Sequence, residues 1–151
     1  MAAVNTVPIY SKVGAIQWTT VDDDAGATTG FLKTASIAKD ASGFVSLLFS
    51  ADTTNGSRID RIGVRSAGTN IASVLRVFLN TGSTTATAAN NTLITEVTLP
   101  ATNLSEVAAL ADVTISGTPF PLVMPPGYKL YVTLGTTIAA GVRVTAYAGN
   151  Y

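Results

Sequence analysis

The stretch Ser73-Val-Leu-Arg-Val-Phe-Leu-Asn80, followed by Thr81-Gly-Ser-Thr-Thr-Ala-Thr-Ala-Ala-Asn-Asn91 and Thr92-Leu-Ile-Thr-Glu-Val-Thr-Leu99, decides the fold class. In the first segment Leu75, Val77 and Leu79 alternate with Val74, Arg76 and Phe78, and the last segment resumes the alternation. Period two marks a strand, because successive Cβ atoms point to opposite faces. The polar segment between them is too short for a domain linker and reads as an exposed loop joining two strands. Setting Asn80 opposite Thr92 places Arg76 opposite Glu96 and Phe78 opposite Ile94. An opposite-charge cross-strand pair contributes a few tenths to about 1 kcal/mol, so the register is self-consistent.

Upstream, Arg58 to Ser66 alternates Ile62 and Val64 against Arg61, Gly63 and Arg65. A tight hairpin to Ser73–Asn80, with Ser66 opposite Ile71, would set Arg61 opposite Arg76. The like-charge pair argues for strands in different sheets, or non-adjacent in one, which is a Greek-key and not a meander connection. Asp52 to Gly56 supplies a turn, Phe44 to Ser50 a short apolar strand, and Asp40 to Gly43 another turn. Phe31 to Ala38 is an ambiguous short strand, Thr19 to Gly30 a loop, and Ile9 to Trp18 a strand preceded by Pro8. Downstream, Pro100 to Leu110 holds the one plausible helical turn. Asp112–Ser116 and Phe120–Met124 are brief extended pieces, Pro125-Pro126-Gly127 is a sharp turn, and Tyr128–Leu134 with Val142–Tyr147 form a final pair. About seven to nine short antiparallel strands with almost no helix predict an all-β fold, a β-sandwich or a jelly roll. Alternation places Leu75, Val77, Leu79, Leu93, Val97, Leu130, Val132 and Val144 inward. The expected organisation is an N-terminal arm over residues 1–10 and a single sandwich domain over 11–151.

The 151 residues suit one domain, and 47% hydrophobic content is enough for a core. Charged residues are 12%, against roughly 25% in an average soluble domain. Nine basic and nine acidic side chains cancel, and histidine and cysteine are absent. Without a basic excess, binding to nucleic acid through phosphate neutralisation is not expected. Disulfide scaffolds, zinc fingers, thiol nucleophiles and histidine triads lack their reacting atoms. A Ser–Lys pair is formally available, but no Gly-x-Ser-x-Gly pattern occurs, and neither an enzyme nor a cofactor is expected. No apolar run approaches the ~20 residues that cross a bilayer, so no membrane partner is expected. Met1 to Tyr10, with Asn5, Thr6 and Pro8, does not read as a secretory signal.

Three features carry candidate chemistry. Asp22-Asp23-Asp24 reads as a solvated loop; Ca²⁺ binding and a contact with a neighbouring subunit's basic groups are the other readings, and the spacing does not fit an EF-hand. Arg58, Arg61, Arg65 and Arg76 gather nearly half the positive charge. They read either as ordinary outer-face charge partly paired with Asp60 and Glu96, or as a strip for an acidic partner surface. Trp18, Tyr10, Tyr128, Tyr131, Tyr147 and Tyr151 read as core and interface packing, or as a sugar-stacking platform if the fold clusters them. The segment before Val7 lacks alternation, so the arm is expected to be disordered or extended. Its apolar anchors would be Ile9 and Tyr10, which join Arg58, Arg61 and Arg65 as candidate partner contacts.

Three stretches together resemble a group of small tailed-bacteriophage structural proteins. They are Gly56-Ser-Arg-Ile-Asp-Arg-Ile62 through Gly68 to Asn80, Ala88-Ala-Asn-Asn-Thr92 through Leu110, and Pro126-Gly-Tyr-Lys-Leu130 through Leu134-Gly-Thr136, Ala139-Ala-Gly-Val142 and Ala148-Gly-Asn-Tyr151. The likeness spans roughly the last two thirds of the chain and lies in structural motifs. It implies a non-enzymatic virion component of the capsid decoration (cement) type, with an all-β, jelly-roll-like β-sandwich fold. Such a protein is made in the host bacterial cytoplasm and binds the major capsid protein on the outer capsid surface. It also implies a homo-oligomer, with a trimer slightly favoured because capsid lattices offer three-fold positions. A carbohydrate-binding β-sandwich module and a tail-fibre or head-fibre domain share most of these properties and stay open as alternatives.

Overall fold

The computed structural model describes residues 14–21 and 45–151. They form nine strands: β1 Gly14–Val21, β2 Ser46–Ser50, β3 Ser57–Ser66, β4 Ser73–Asn80, β5 Asn91–Leu99, β6 Asp112–Ile115, β7 Leu122–Met124, β8 Lys129–Leu134 and β9 Val142–Asn150. One sheet runs β1-β9-β3-β6, with β7 also on β3; the other runs β2-β8-β4-β5, and every pairing is antiparallel. Because β6 and β7 pair with successive stretches of β3, they share one edge position of a two-layered jelly roll. Of the two arrangements the like-charge argument allows, the structure has the first: β3 and β4 lie in different sheets.

Alternation builds the core. Val21, Ile59, Ile62, Val64, Val142, Val144 and Ala146 point from the first sheet towards Phe49, Leu75, Val77, Leu130, Val132 and Leu134 of the second. Each of the Val, Leu, Ile and Phe side chains among them, fully removed from water, contributes about 1.5–3 kcal/mol. Arg76 faces Glu96 as the sequence register demands, with Nε donating to Oε1 at 2.6 Å. The register then slips: Phe78 faces Leu93, not Ile94, and Asn80 faces Asn91. An extra residue in β5, a β-bulge at Ile94, accounts for the shift. The bulge corrects one inward assignment, because Leu93 packs with Val45, Phe78 and Tyr131 on the far side of the second sheet. Leu79 and Val97 are half-buried against the main core.

Two other expectations are corrected. Thr19, Thr20 and Val21, assigned to a loop, continue β1 opposite Val144, Arg143 and Val142. Two β-branched threonines and a buried valine sustain a strand there. The segment Pro100–Leu110 forms no helix. Ser105 Oγ accepts the N–H groups of Val107 and Ala108 at 3.2 Å, as an N-cap would. The run that follows is exposed and too short to repay helix nucleation. The helical element among the described residues is instead a single 3-10 turn at Ala88–Asn90, inside the loop between β4 and β5. Asn91 Nδ2 donates to Thr85 O and Thr87 O, which fixes that loop away from the core. The assigned segments 22–44 and 9–13 lie outside the described residues, apart from Phe44–Ser50, whose tail is β2.

One end of the sandwich is tied by a turn knot. Asp52 Oδ1 accepts the N–H groups of Thr54 (2.9 Å) and Asn55 (2.8 Å), and Gly56 closes the turn at φ +78°. Ser57 Oγ accepts the Asp52 N–H at 2.9 Å and donates to Asn150 Oδ1 at 2.6 Å, which joins the turn to β9. The turn before β8 has Gly127 at φ +76°.

Candidate functional site

The core takes one face of β1, β9, β3 and β6, so the opposite face collects the alternate residues. These are Ile16 and Trp18 from β1, Arg143, Thr145 and Tyr147 from β9, Arg61, Gly63 and Arg65 from β3, and Asp112 and Thr114 from β6. Strand register aligns them: Arg61 faces Tyr147, Gly63 faces Thr145, and Arg65 faces Arg143 on one side and Asp112 on the other. Those from β9, β3 and β6 line a shallow groove of about 410 Å³.

Each end of the groove has its own electrostatics. At one end the Arg61 guanidinium carbon lies 4.2 Å from the centroid of the Tyr147 ring, a cation–π contact that fixes both groups. The Tyr147 ring lies over Gly63, where an added Cβ would approach its Cε2 to 3.1 Å. A glycine inside a strand marks a place where another group comes close, and here that group is the ring. At the other end Arg65 grips Asp112 fork to fork, Nε to Oδ1 and Nη2 to Oδ2, both at 2.6 Å. Hydrogen bonding to Arg65 holds the Asp112 carboxyl below the usual aspartate range, and the same bond pushes the Arg65 guanidinium further up. The pair is exposed and adds little to stability. Arg143 stands beside it with no carboxylate partner among the described residues, and neither does Arg61 have one. Among the described residues that line the groove, three guanidiniums stand against one carboxylate, a positive lining on a chain of zero net charge.

Beyond the groove the face becomes apolar. Trp18 is 67% exposed and Ile16 58%. Trp18 pairs with Thr145 and Ile16 with Tyr147, so Trp18 and Tyr147 are diagonal neighbours within aromatic reach. Leu47 of β2, 45% exposed, extends the apolar strip around the sheet edge. Gln17 stitches that edge: its Oε1 accepts the Ser50 N–H at 3.0 Å and its Nε2 donates to Ser50 O at 3.3 Å.

Of the arginines singled out in sequence, Arg61 and Arg65 line the groove. Arg58 lies further along β3, 3.0 Å from Asp60 and opposite Val123 of β7. Arg76 does not join them, being buried in the other sheet against Glu96. The aromatic set is likewise divided, since Tyr128 packs on the main core and Tyr131 on the second cluster. Burial there pushes the Tyr131 phenol up. Ile9, Tyr10 and Asp22–Asp24 lie outside the described residues. Sequence reasoning missed Arg143, Thr145 and Gly63. Alternation within Val142–Tyr147 puts Arg143, Thr145 and Tyr147 on one face, but only the strand order sets that face beside β3.

Among the described residues no group of three or more acidic side chains converges as a metal site, and no helix is long and apolar enough to cross a membrane. No family model, curated protein or solved structure matches the chain.

Proposed function

We propose that the protein is a non-enzymatic virion component, a decoration protein that binds the outer surface of a phage capsid and stabilises it. In this reading the partner is the major capsid protein and the contact surface is the outer face of the β1-β9-β3-β6 sheet. The observation that carries it is the composition of that face: Trp18, Ile16, Tyr147, Arg61 and Arg143 presented together on a rigid sheet. Trp, Tyr and Arg dominate the energetic centres of protein interfaces, because they combine large contact area with a polar handle. The three stretches that resemble tailed-phage structural proteins supply the identity of the partner. Symmetric copies at three-fold lattice positions, a trimer first among them, belong to the same proposal. So does a second fastening by the arm, with Ile9 and Tyr10 docking on the capsid or on an adjacent copy by strand addition.

The test adds purified protein to capsids assembled from the coat protein encoded in the same genome, followed by co-sedimentation and cryo-EM. Ordered copies are expected, with occupancy falling when Trp18→Ala and Ile16→Ser are combined and falling at raised temperature when residues up to Val7 are removed. The absence of ordered copies on capsids refutes the reading. The exposed Trp18 beside Tyr147 also suits a carbohydrate-binding module, since a sugar ring stacks on such a pair. Retention on a glycan array that Trp18→Ala abolishes, without capsid binding, would replace the first reading by the second.

A further inference from the structure

The groove has two positive ends and a small neutral middle, and its dimensions specify what fits. Arg61 marks one end; Arg143, opposite Arg65, marks the other. Between them lie Gly63 and Thr145, with Thr114 on the next strand. Arg61 and Arg65 are four residues apart on β3, which at the strand repeat is roughly 13 Å. Arg65 is engaged by both oxygens of Asp112, so the groove's capacity for a new anion rests on Arg61 and Arg143. A point anion such as phosphate reaches one end only. A polypeptide in extended conformation has the same repeat as the strands beneath it, and its residues i and i+4 fall on one side.

We propose that this groove takes an extended acidic segment of a partner protein. Carboxylates at i and i+4 meet Arg143 and Arg61, and a small side chain at i+2 passes over Thr145 and the Tyr147 ring that covers Gly63. Charge complementarity selects the segment, and the Tyr147 ring, which already covers Gly63 in the middle of the floor, selects against bulk there. The inference rests on this face being the contact surface and names the chemistry it reads.

The probes are two short capped Ser/Thr peptides of equal charge, one with glutamates four residues apart and one with adjacent glutamates. Binding is measured by NMR titration on the intact chain at low and raised salt, with trigalacturonate and inorganic phosphate as further probes. The four-apart peptide is expected to bind about tenfold tighter than the adjacent one, because one charge-assisted contact is lost in the latter. Arg61→Ala and Arg143→Ala are each expected to weaken it about tenfold, and Arg58→Ala, already paired with Asp60, to leave it unchanged. Equal affinity for the two peptides, insensitivity to Arg61→Ala and Arg143→Ala, or tighter binding of trigalacturonate or phosphate overturns the proposal. Capsid occupancy separates this from the wider reading. Spacing-selective peptide binding without capsid occupancy upholds the groove and refutes decoration. Full occupancy by the Arg61→Ala, Arg143→Ala double variant, with no peptide selectivity, does the reverse.

Discussion

Gly56 and Gly127 offer a matched pair of substitutions in which one cost is shared and the other is not. Both sit at left-handed φ, +78° and +76°. Alanine at either pays roughly 1–2 kcal/mol for a Cβ in that conformation. Stiffening of the unfolded chain offsets part of this equally at both sites. The surroundings differ. A Cβ on Gly127 meets nothing within 4 Å, whereas on Gly56 it lies 2.4 Å from the Met124 carbonyl oxygen and 3.3 Å from Pro125 C and Pro126 N. That oxygen belongs to backbone paired with Ser57, so relief means prising β7 from the start of β3 by about 1 Å. The movement loosens the bonds from Gly127 N–H to Asp52 O (3.2 Å) and from Tyr151 N–H to Gly56 O (3.4 Å), each worth about 1 kcal/mol. Gly127→Ala is therefore expected to cost about 1 kcal/mol and Gly56→Ala about 3 kcal/mol. For a chain of this size these become melting shifts of roughly 3 °C and 9 °C. Urea unfolding followed by Trp18 fluorescence, with calorimetry alongside, measures both. Equal losses at the two positions, or a larger loss at Gly127, would refute the account of the turn knot.

Further outcomes are expected from the charged and core positions. NMR titration of Asp112 should give a midpoint below the ordinary aspartate value, restored towards it by Arg65→Ala. Because the folded value is the lower one, the pair's contribution is present above the unfolded aspartate value and lost as pH falls through the folded one. Tyr131 should ionise above the usual tyrosine range, so its contribution is present below the unfolded value and is lost as pH rises through the raised one, read by ultraviolet difference absorbance. Glu96→Ala, which strips a 2.6 Å carboxylate from an arginine only 7% exposed, should cost about 2 kcal/mol in urea unfolding. Asp60→Ala, at the exposed Arg58 pair, should cost under about 0.5 kcal/mol in the same assay. Leu130→Ala, at a fully buried position, should cost about 2–5 kcal/mol.

What could be read without coordinates follows from the range of each interaction. The strands Ser73–Asn80 and Arg58–Ser66 were legible because alternation is local, and the Arg76–Glu96 register because two charges mark it. The bulge at Ile94 was not legible, since neither neighbouring residue carries a turn or glycine signal, and Leu93 consequently faces away from the core. Thr19 and Thr20 looked like loop beside Asp22–Asp24, but pairing with β9 overrides their composition. The groove was half legible. The alternate spacing of Arg61, Gly63 and Arg65 is written in β3, whereas Arg143 and Tyr147 lie some eighty residues away and reach them only through the jelly-roll order.

The interrupted strand at the edge of the first sheet bears on self-association. β6 and β7 are four and three residues long. The span between them, 116–121, contains Pro119 and Pro121, which have no N–H to offer a neighbour. Across the molecule, β5 presents the other sheet's edge with the bulge at Ile94 and with Glu96. Chains without net charge repel one another weakly, and a long straight edge would let crowded copies knit into a continuous ribbon. Here both of these margins are broken, so strand-by-strand growth along either of the two stalls after a few bonds.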